Sequence, residues 1–429
     1  MKHICVIAIN RAKHDAADAC VRLALEFDLD IKAYMLVSDT FRNTSAYRGD
    51  ETKGYFTEIV LNFDDNDLLQ KTVDEITTGS DSTITHCLVE SAMHDYAKII
   101  PMLPNSYTQT PESVILSSEK SKMRTAMKAL YPEISPNFII LNSFEEFNEK
   151  TITGFNFPVI IKPNGLSSSL LVTKCESYDE VIINLKKTFN AISTIYAREH
   201  GAGDMSVVIE EFIVGDLYSI DAYVADDNND ITYLPPVRVI TSYDVGLPGF
   251  YGHERIVPTT LSSEETENAN ECVRKTVQSL GLKNSTIHAE LYKTTNGWKT
   301  VELGPRIGGY RQELYKEAFG IEHFYNDFLV HYGKKPIITI KQNNYASAIN
   351  IYPESEGIIT EIIGLEEARK VQSLIMLKQH SFVGDTASFA INGGKFVVDA
   401  IFANKDETVL RQDMEAVRSL IKIKISDDK

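Results

Sequence analysis

Between residues 3 and about 110, short apolar runs alternate with helical patterns, and this alternation restricts the fold more than any other feature. Ile4 to Ile9 is apolar, Asp15 to Phe27 has helical periodicity, and Ile31 to Val37 is apolar again. Glu58 to Leu61, a helical stretch over Asp67 to Ile76, and Thr85 to Val89 continue the series. Strands joined through helices form an open, mainly parallel α/β sheet, because a parallel crossover needs a helix-length connection. The first turn, Asn10-Arg11-Ala12-Lys13, lacks the glycines that let backbone approach a pyrophosphate. The segment therefore reads as a Rossmann-like sheet without a dinucleotide.

The 429 residues suffice for about three domains. A net charge of −17 argues against nucleic acid and anionic membranes as partners, although it leaves room for a local basic pocket. Five scattered cysteines, without a Cys-x-x-Cys pair, fit a reducing, cytoplasmic setting and not structural zinc. No apolar run reaches membrane-spanning length. The apolar start ends at Asn10-Arg11 without a small-residue cleavage site, so it reads as a buried strand and not a signal peptide.

From Ser117 the texture changes. Ser117 or Ser118 is expected to cap a helix running to Leu130, and Ser143-Phe144-Glu145-Glu146 to open another as a capping box. Ser177 should cap a third, and Ser263 to Leu280 a fourth that stops at Gly281. Arg198 to Asp204 reads as a mobile link. Helices are also expected over Arg311 to Phe319, Phe324 to His331 and Glu407 to Leu420. Beyond about Lys335 short strands predominate and no chemical motif stands out.

Chemistry concentrates in four places. Glu290 and Glu302 lie twelve residues apart in a predicted hairpin, strand Ile287 to Tyr292, turn Thr294 to Gly297, strand Trp298 to Leu303. Facing carboxylates repel unless a cation lies between them, and magnesium favours such oxygen ligands together with phosphates; two solvated surface glutamates are the plain alternative. Lys162 ends an apolar strand before Asn164-Gly165-Leu166 and Ser167, Ser168 and Ser169, a loop able to offer N–H groups and hydroxyls to phosphate. Glu210, Glu211, Phe212 and Ile213 end a strand whose backbone could meet an adenine edge. Arg306 with Gly308 and Gly309 follows the hairpin, and an arginine suits a bidentate grip on carboxylate or phosphate. His253, Arg255, His288 and Arg311 are candidate substrate contacts, within or near the polar, aromatic stretch Tyr243 to Arg255 or beside the hairpin.

In this order the pieces resemble the ATP-grasp superfamily, in its carboxylate–amine ligase branch near the L-amino-acid (dipeptide) ligases. The resemblance rests on Ser118-Glu119-Lys120, Pro158 to Pro163, Val208 to Gly215, Tyr218 to Asp221, His288-Ala289-Glu290, and Val301-Glu302 through Gly309. It implies an α/β fold: a Rossmann-like domain over 1–115, a lid subdomain over 116–205, a large subdomain over 206–334, and a C-terminal α+β region over 335–429. It also implies ATP and two magnesium ions, with manganese as an alternative metal. Lys120 and Lys162 would meet the phosphates, the Glu211 carbonyl and Ile213 N–H the adenine beside Glu210, and Glu290 and Glu302 the metal. Arg306, with Gly308 and Gly309 as backbone donors, would hold an acyl phosphate or carboxylate. Two positions depart from the family pattern: Leu217 stands where a ribose-binding glutamate is usual, with Asp216 as a substitute, and Gly304 where a metal-binding asparagine is usual.

The function expected is therefore amide formation between small carboxylate and amine substrates, amino acids foremost, with a homodimer left open. A biotin-carboxylase or carbamoyl-phosphate type of reaction, and a non-catalytic nucleotide-binding role, stand as alternatives.

Overall fold

The computed structural model describes residues 1–426 except 45, 46, 50, 168, 202, 248 and 388–395. Strands Thr57–Leu61, Leu29–Ser38, Lys2–Ile9 and Ser82–Cys87 form, in that order, the expected parallel sheet. Its strand alternation divides the apolar residues. Ile4, Val6 and Ala8 pack against helix His14–Phe27 and against Phe324 and Phe328, whereas Cys5, Ile7 and Ile9 face Leu69, Val73 and Met93.

A second sheet, antiparallel, has the order Phe138–Leu141, Val207–Glu211, Val159–Pro163, Thr173–Cys175. Helix Tyr178–Glu199 packs on one face of it, burying Val181, Leu185 and Ile192. Ser177 caps this helix as expected, accepting from the Glu180 N–H. Two other caps differ. Ser117 and Ser118 are the last residues of helix Pro111–Ser118, and their hydroxyls bond backward to Ser113 O and Val114 O. Glu119 precedes helix Lys120–Leu130, while Thr110 and Ser113 form the capping box one helix earlier. Ser143 makes no cap bond, and Phe144–Glu146 is a single 3-10 turn.

The third sheet positions the site. Its nine described strands run Gly297–Gly304, Ser285–Thr294, Asp216–Val224, Val237–Thr241, Gly252–Val257, Tyr345–Ile351, Val398–Asn404 and Leu374–Gln379, with Ile231–Tyr233 paired to Asp216–Val224. Residues directly opposite in antiparallel strands share a face. One face carries Ile220, Ala222, Ile287, Ala289 and Leu303 beneath helix Ser263–Leu280, and further along Ile349, Ala400 and Phe402 beneath helix Glu407–Leu420. The opposite face carries Tyr223, Val237, Ala348 and Ile401 against helix Arg311–Phe319. The sheet runs across residues 334 and 335, so strands from the C-terminal region complete it.

Candidate active site

Glu290 and Glu302 face each other directly in the hairpin register, and a β-bulge brings this about. Nearer the turn Thr294 opposes Gly297 and Leu291 opposes Thr300. That register alone would bring Val301 against Glu290; the bulge between Glu290 and Leu291 leaves Val301 unopposed and sets Glu302 there instead. Arg124, fully buried, holds the Val301 carbonyl at 2.6 Å.

Behind Glu290 lies a buried hub. Asp221 Oδ1 is 2.6 Å from His288 Nδ1, and Oδ2 is 2.9 Å from His323 Nε2 and accepts from the Gly308 N–H at 2.8 Å. Arg311 donates to Ser219 Oγ at 2.5 Å and to Gly309 O at 2.8 Å. Burial favours the neutral Asp221, but the two histidines outweigh it and hold its carboxyl far below the usual range. Burial likewise opposes the charged His288, but Asp221 raises its pKa. Gly308 is required by close approach: a Cβ there would strike the His288 ring.

The two metal candidates are driven apart in charge. Burial acts against ionising Glu290, but a hydrogen bond and charge from His288, then Arg311 and Arg255, lower its pKa. Glu302 is raised by burial and then by the charge of Glu290, with Lys120 opposing. A cation between them reverses that penalty. Among the described residues no three acidic, histidine or cysteine side chains gather tightly enough to hold a metal by themselves. The protein thus offers two carboxylates, a donor set that suits magnesium already carried by a polyphosphate.

Cationic groups lie alongside. Lys120 Nζ donates to Leu166 O at 2.6 Å in a cleft lined by Glu90, Ser167, His288, Glu302 and Arg306. Its pKa is lowered by burial first, with Glu302 opposing and Lys162 adding repulsion, an imbalance that a polyphosphate relieves. Asn164, buried, fixes the serine loop by donating its N–H to Ser206 O at 2.9 Å and accepting from the Ser121 N–H at 2.9 Å. Ser169 donates to Phe250 O at 3.1 Å, while Ser168 lies outside the described residues. The link around Gly203 is tied down: His200 Nε2 is 3.1 Å from Asp95 Oδ2, and Asp204 accepts from Asn164 at 2.9 Å.

The Glu210 carboxylate, expected beside adenine, is taken up by a buried double ion pair, with Arg124 Nε at 2.8 Å and Lys162 Nζ at 2.7 Å. Burial opposes its charge, but these two cations bring its pKa down to about 2. The Glu211 N–H is occupied by Asn137 O at 3.0 Å, and that of Phe212 by Pro158 O at 3.3 Å, next to a partly exposed Ile213. Phe212, Tyr243 and Phe250 pack together with Lys174 over the Phe212 ring at 4.6 Å, so the start of the stretch Tyr243 to Arg255 covers the end of strand Val207–Glu211. Its end lies elsewhere: the Arg255 guanidinium is 5.3 Å from the Tyr310 ring centre. His253 is 3.5 Å from Arg418, and burial, then Arg418, lower its pKa to about 4. Asp216 is paired with Arg238 at 2.7 Å.

Arg306 Nε donates to Glu90 Oε2 at 2.7 Å. A Cβ on Gly304 would lie 2.7 Å from that same oxygen, so the room of the family asparagine is taken by a carboxylate from the first sheet's loop. Sequence reading missed Glu90, Arg124 and the hub role of Asp221. Glu90 directly follows the apolar run Thr85 to Val89, the strand end where open α/β sheets bind ligands, and Asp221 is acidic between the apolar residues Ile220 and Ala222; both are usable signals.

Residues 155–313, which span most of the second sheet, the carboxylate hairpin and Arg306, match the family model described as the ATP-grasp domain. A D-alanine–D-alanine ligase of Halalkalibacterium halodurans is 27% identical over 150 residues, 33% of this chain and 44% of that protein. The chain spans less than half the length of the curated relatives it matches. Among solved structures, an L-amino acid ligase from Bacillus licheniformis superposes with a TM-score of 0.76 at 18% identity, covering 100% of this chain and 99% of that one. The biotin carboxylase domain of Hydrogenobacter thermophilus 2-oxoglutarate carboxylase, solved as a dimer with MgADP, ADP and bicarbonate, gives 0.66 at 13% identity, covering 98% and 90%. No helix among the described residues is long and apolar enough to cross a membrane.

Proposed function

We propose that the protein is an ATP-dependent carboxylate–amine ligase acting on amino acids. The observation that carries this reading is the direct opposition of Glu290 and Glu302, with Lys120 and Arg306 lining the same cleft. A substrate carboxylate oxygen attacks the γ-phosphorus, the bond to ADP breaks, and an acyl phosphate forms. The amine lone pair then attacks the acyl carbon, the bond to phosphate breaks, and the nitrogen releases its proton as the amide forms.

The chain's own groups position and neutralise anions, which is most of what phosphoryl transfer requires. Lys120 and Lys162 draw the phosphates to the strand end. Magnesium, held by Glu290 and Glu302, supplies further positive charge when bound. Arg306 grips the carboxylate and later the acyl phosphate once Glu90 gives it up, with Gly308 and Gly309 beside it. The serine loop and the aromatic cover of Tyr243 and Phe250 exclude water from an intermediate that hydrolyses readily.

The test is phosphate release from Mg·ATP with amino acids singly and in pairs. Release that needs two amino acids and yields a dipeptide by mass supports the reading. Release that depends on bicarbonate alone, or none with any pair despite nucleotide binding, removes it.

A further inference from the structure

The sheet face that carries Glu302 and Glu290 continues well beyond them. Following direct pairs, Glu290 opposes Ser219, Ser219 opposes Val237, Val239 opposes Arg255, Arg255 opposes Ala348, and Asn350 opposes Asp399. Arg255 and Asp399 therefore stand on the same face as the metal pair, with strand Tyr345–Ile351 between them. Arg255 forms no ion pair among the described residues; it donates to Gly252 O at 3.3 Å and rests over Tyr310. Tyr310 has a left-handed backbone, φ 63°, and its hydroxyl donates to Asn350 Oδ1 at 2.8 Å.

Asp399 is 4% exposed, yet its Oδ1, 3.2 Å from His380 Nε2, completes no hydrogen bond. The lysine directly opposite, Lys378, is turned to Glu51 at 3.8 Å instead. Aromatic walls stand beside the carboxylate: Tyr352 lies 4.3 Å from Tyr251 and 6.0 Å from Phe396, which itself packs on His380. A buried acid with an unused oxygen, among aromatic rings, is an environment for a cation. An unpaired arginine nearer the metal pair is an environment for a carboxylate.

Resting on the ligase reading above, we propose that Arg255, Tyr310, Tyr352 and Asp399 form the subsite of the second, amine-bearing substrate, and that this substrate is an α-amino acid with a basic side chain. Its carboxylate lies on Arg255, its α-amine points back to the acyl phosphate held by Arg306, and its side-chain cation reaches Asp399. Two strand spacings separate the Arg255 and Asp399 backbones, about 10 Å across the sheet. That span, shortened by the Arg255 side chain, accommodates lysine or arginine better than a short diamine.

Calorimetry on the full chain saturated with Mg²⁺ and a non-hydrolysable ATP analogue tests this, with L-lysine and the uncharged L-norleucine as probes. Lysine is expected to bind at least tenfold tighter than norleucine. Asp399→Asn should erase that preference while leaving norleucine affinity within twofold, and Arg255→Gln should weaken both probes about tenfold. Equal binding of the probes by the unaltered protein, binding of neither, or equal loss of both in Asp399→Asn overturns the subsite. The two proposals fail separately. An intact lysine preference without any dipeptide overturns the activity alone, whereas dipeptide formation with equal KM for lysine and norleucine overturns the subsite alone.

Discussion

Replacing Glu210 by glutamine should destabilise the protein by about 3 kcal/mol, in a pH-dependent way. The side chain is 1% exposed and faces Arg124, 0% exposed, and Lys162. Its pKa falls from the ordinary 4.5 to about 2, which at 1.36 kcal/mol per unit is roughly 3 kcal/mol favouring the folded state. For a depressed carboxyl that stabilisation is complete above the unfolded value of 4.5 and fades as pH falls toward 2. Urea unfolding, followed by circular dichroism, should show a gap of about 3 kcal/mol between the native protein and Glu210→Gln at pH 7. By pH 3 the gap should shrink to less than half. Removing one member of a buried pair typically costs roughly 3–5 kcal/mol, because the partner charge is left uncompensated, so a larger value at pH 7 is compatible. A gap below about 1 kcal/mol at pH 7, or one that stays constant down to pH 3, refutes the argument that this charge is held by Arg124 and Lys162. Lys162 also loses its anchor, and weaker ATP binding by calorimetry should accompany the change.

Three shorter predictions follow from the same geometry. Arg306→Lys should lower turnover by a factor corresponding to about 2–4 kcal/mol, since a single ammonium cannot reproduce the forked grip; near-native kcat in phosphate release removes Arg306 from the chemistry. Because the Glu302 pKa is raised by burial and Glu290, Mg²⁺ affinity for the nucleotide-bound protein should fall as pH drops through that raised value, with proton release on binding; a flat affinity between pH 8 and 5 counts against this pair as ligands. Gly281 ends its helix at φ 63°, so Gly281→Ala should cost on the order of 1 kcal/mol in unfolding experiments, and no change there means the cap is not strained by a side chain.

Local signals were readable from the chain and long-range ones were not. The parallel sheet over Lys2 to Cys87 follows from strand–helix alternation, and helix Ser263–Leu280 from its cap and its terminal glycine. The carboxylate hairpin was visible through alternation and a turn, but the bulge that aligns Glu302 with Glu290 was not, because an inserted residue leaves no mark in composition. Ser117 and Ser118 looked like caps because serine prefers that position, yet their hydroxyls serve the turn they end. Glu210 reads from the chain only as a strand end beside the expected adenine, and only the fold brings Arg124, 86 residues away, against it. The C-terminal stretch showed no motif because Asp399 and His380 gain meaning only through strand register.

The continuity of the nine-stranded sheet has a bearing on modularity. The family match ends at residue 313, but strand Gly252–Val257 takes its outer hydrogen bonds from Tyr345–Ile351. A truncated chain stopping at the match would leave that strand as a raw edge with unpaired amides and carbonyls, the kind of surface that seeds aggregation. The matched segment is thus recognisable in sequence without being a separable piece of protein, and expression of residues 155–313 by themselves should yield insoluble material.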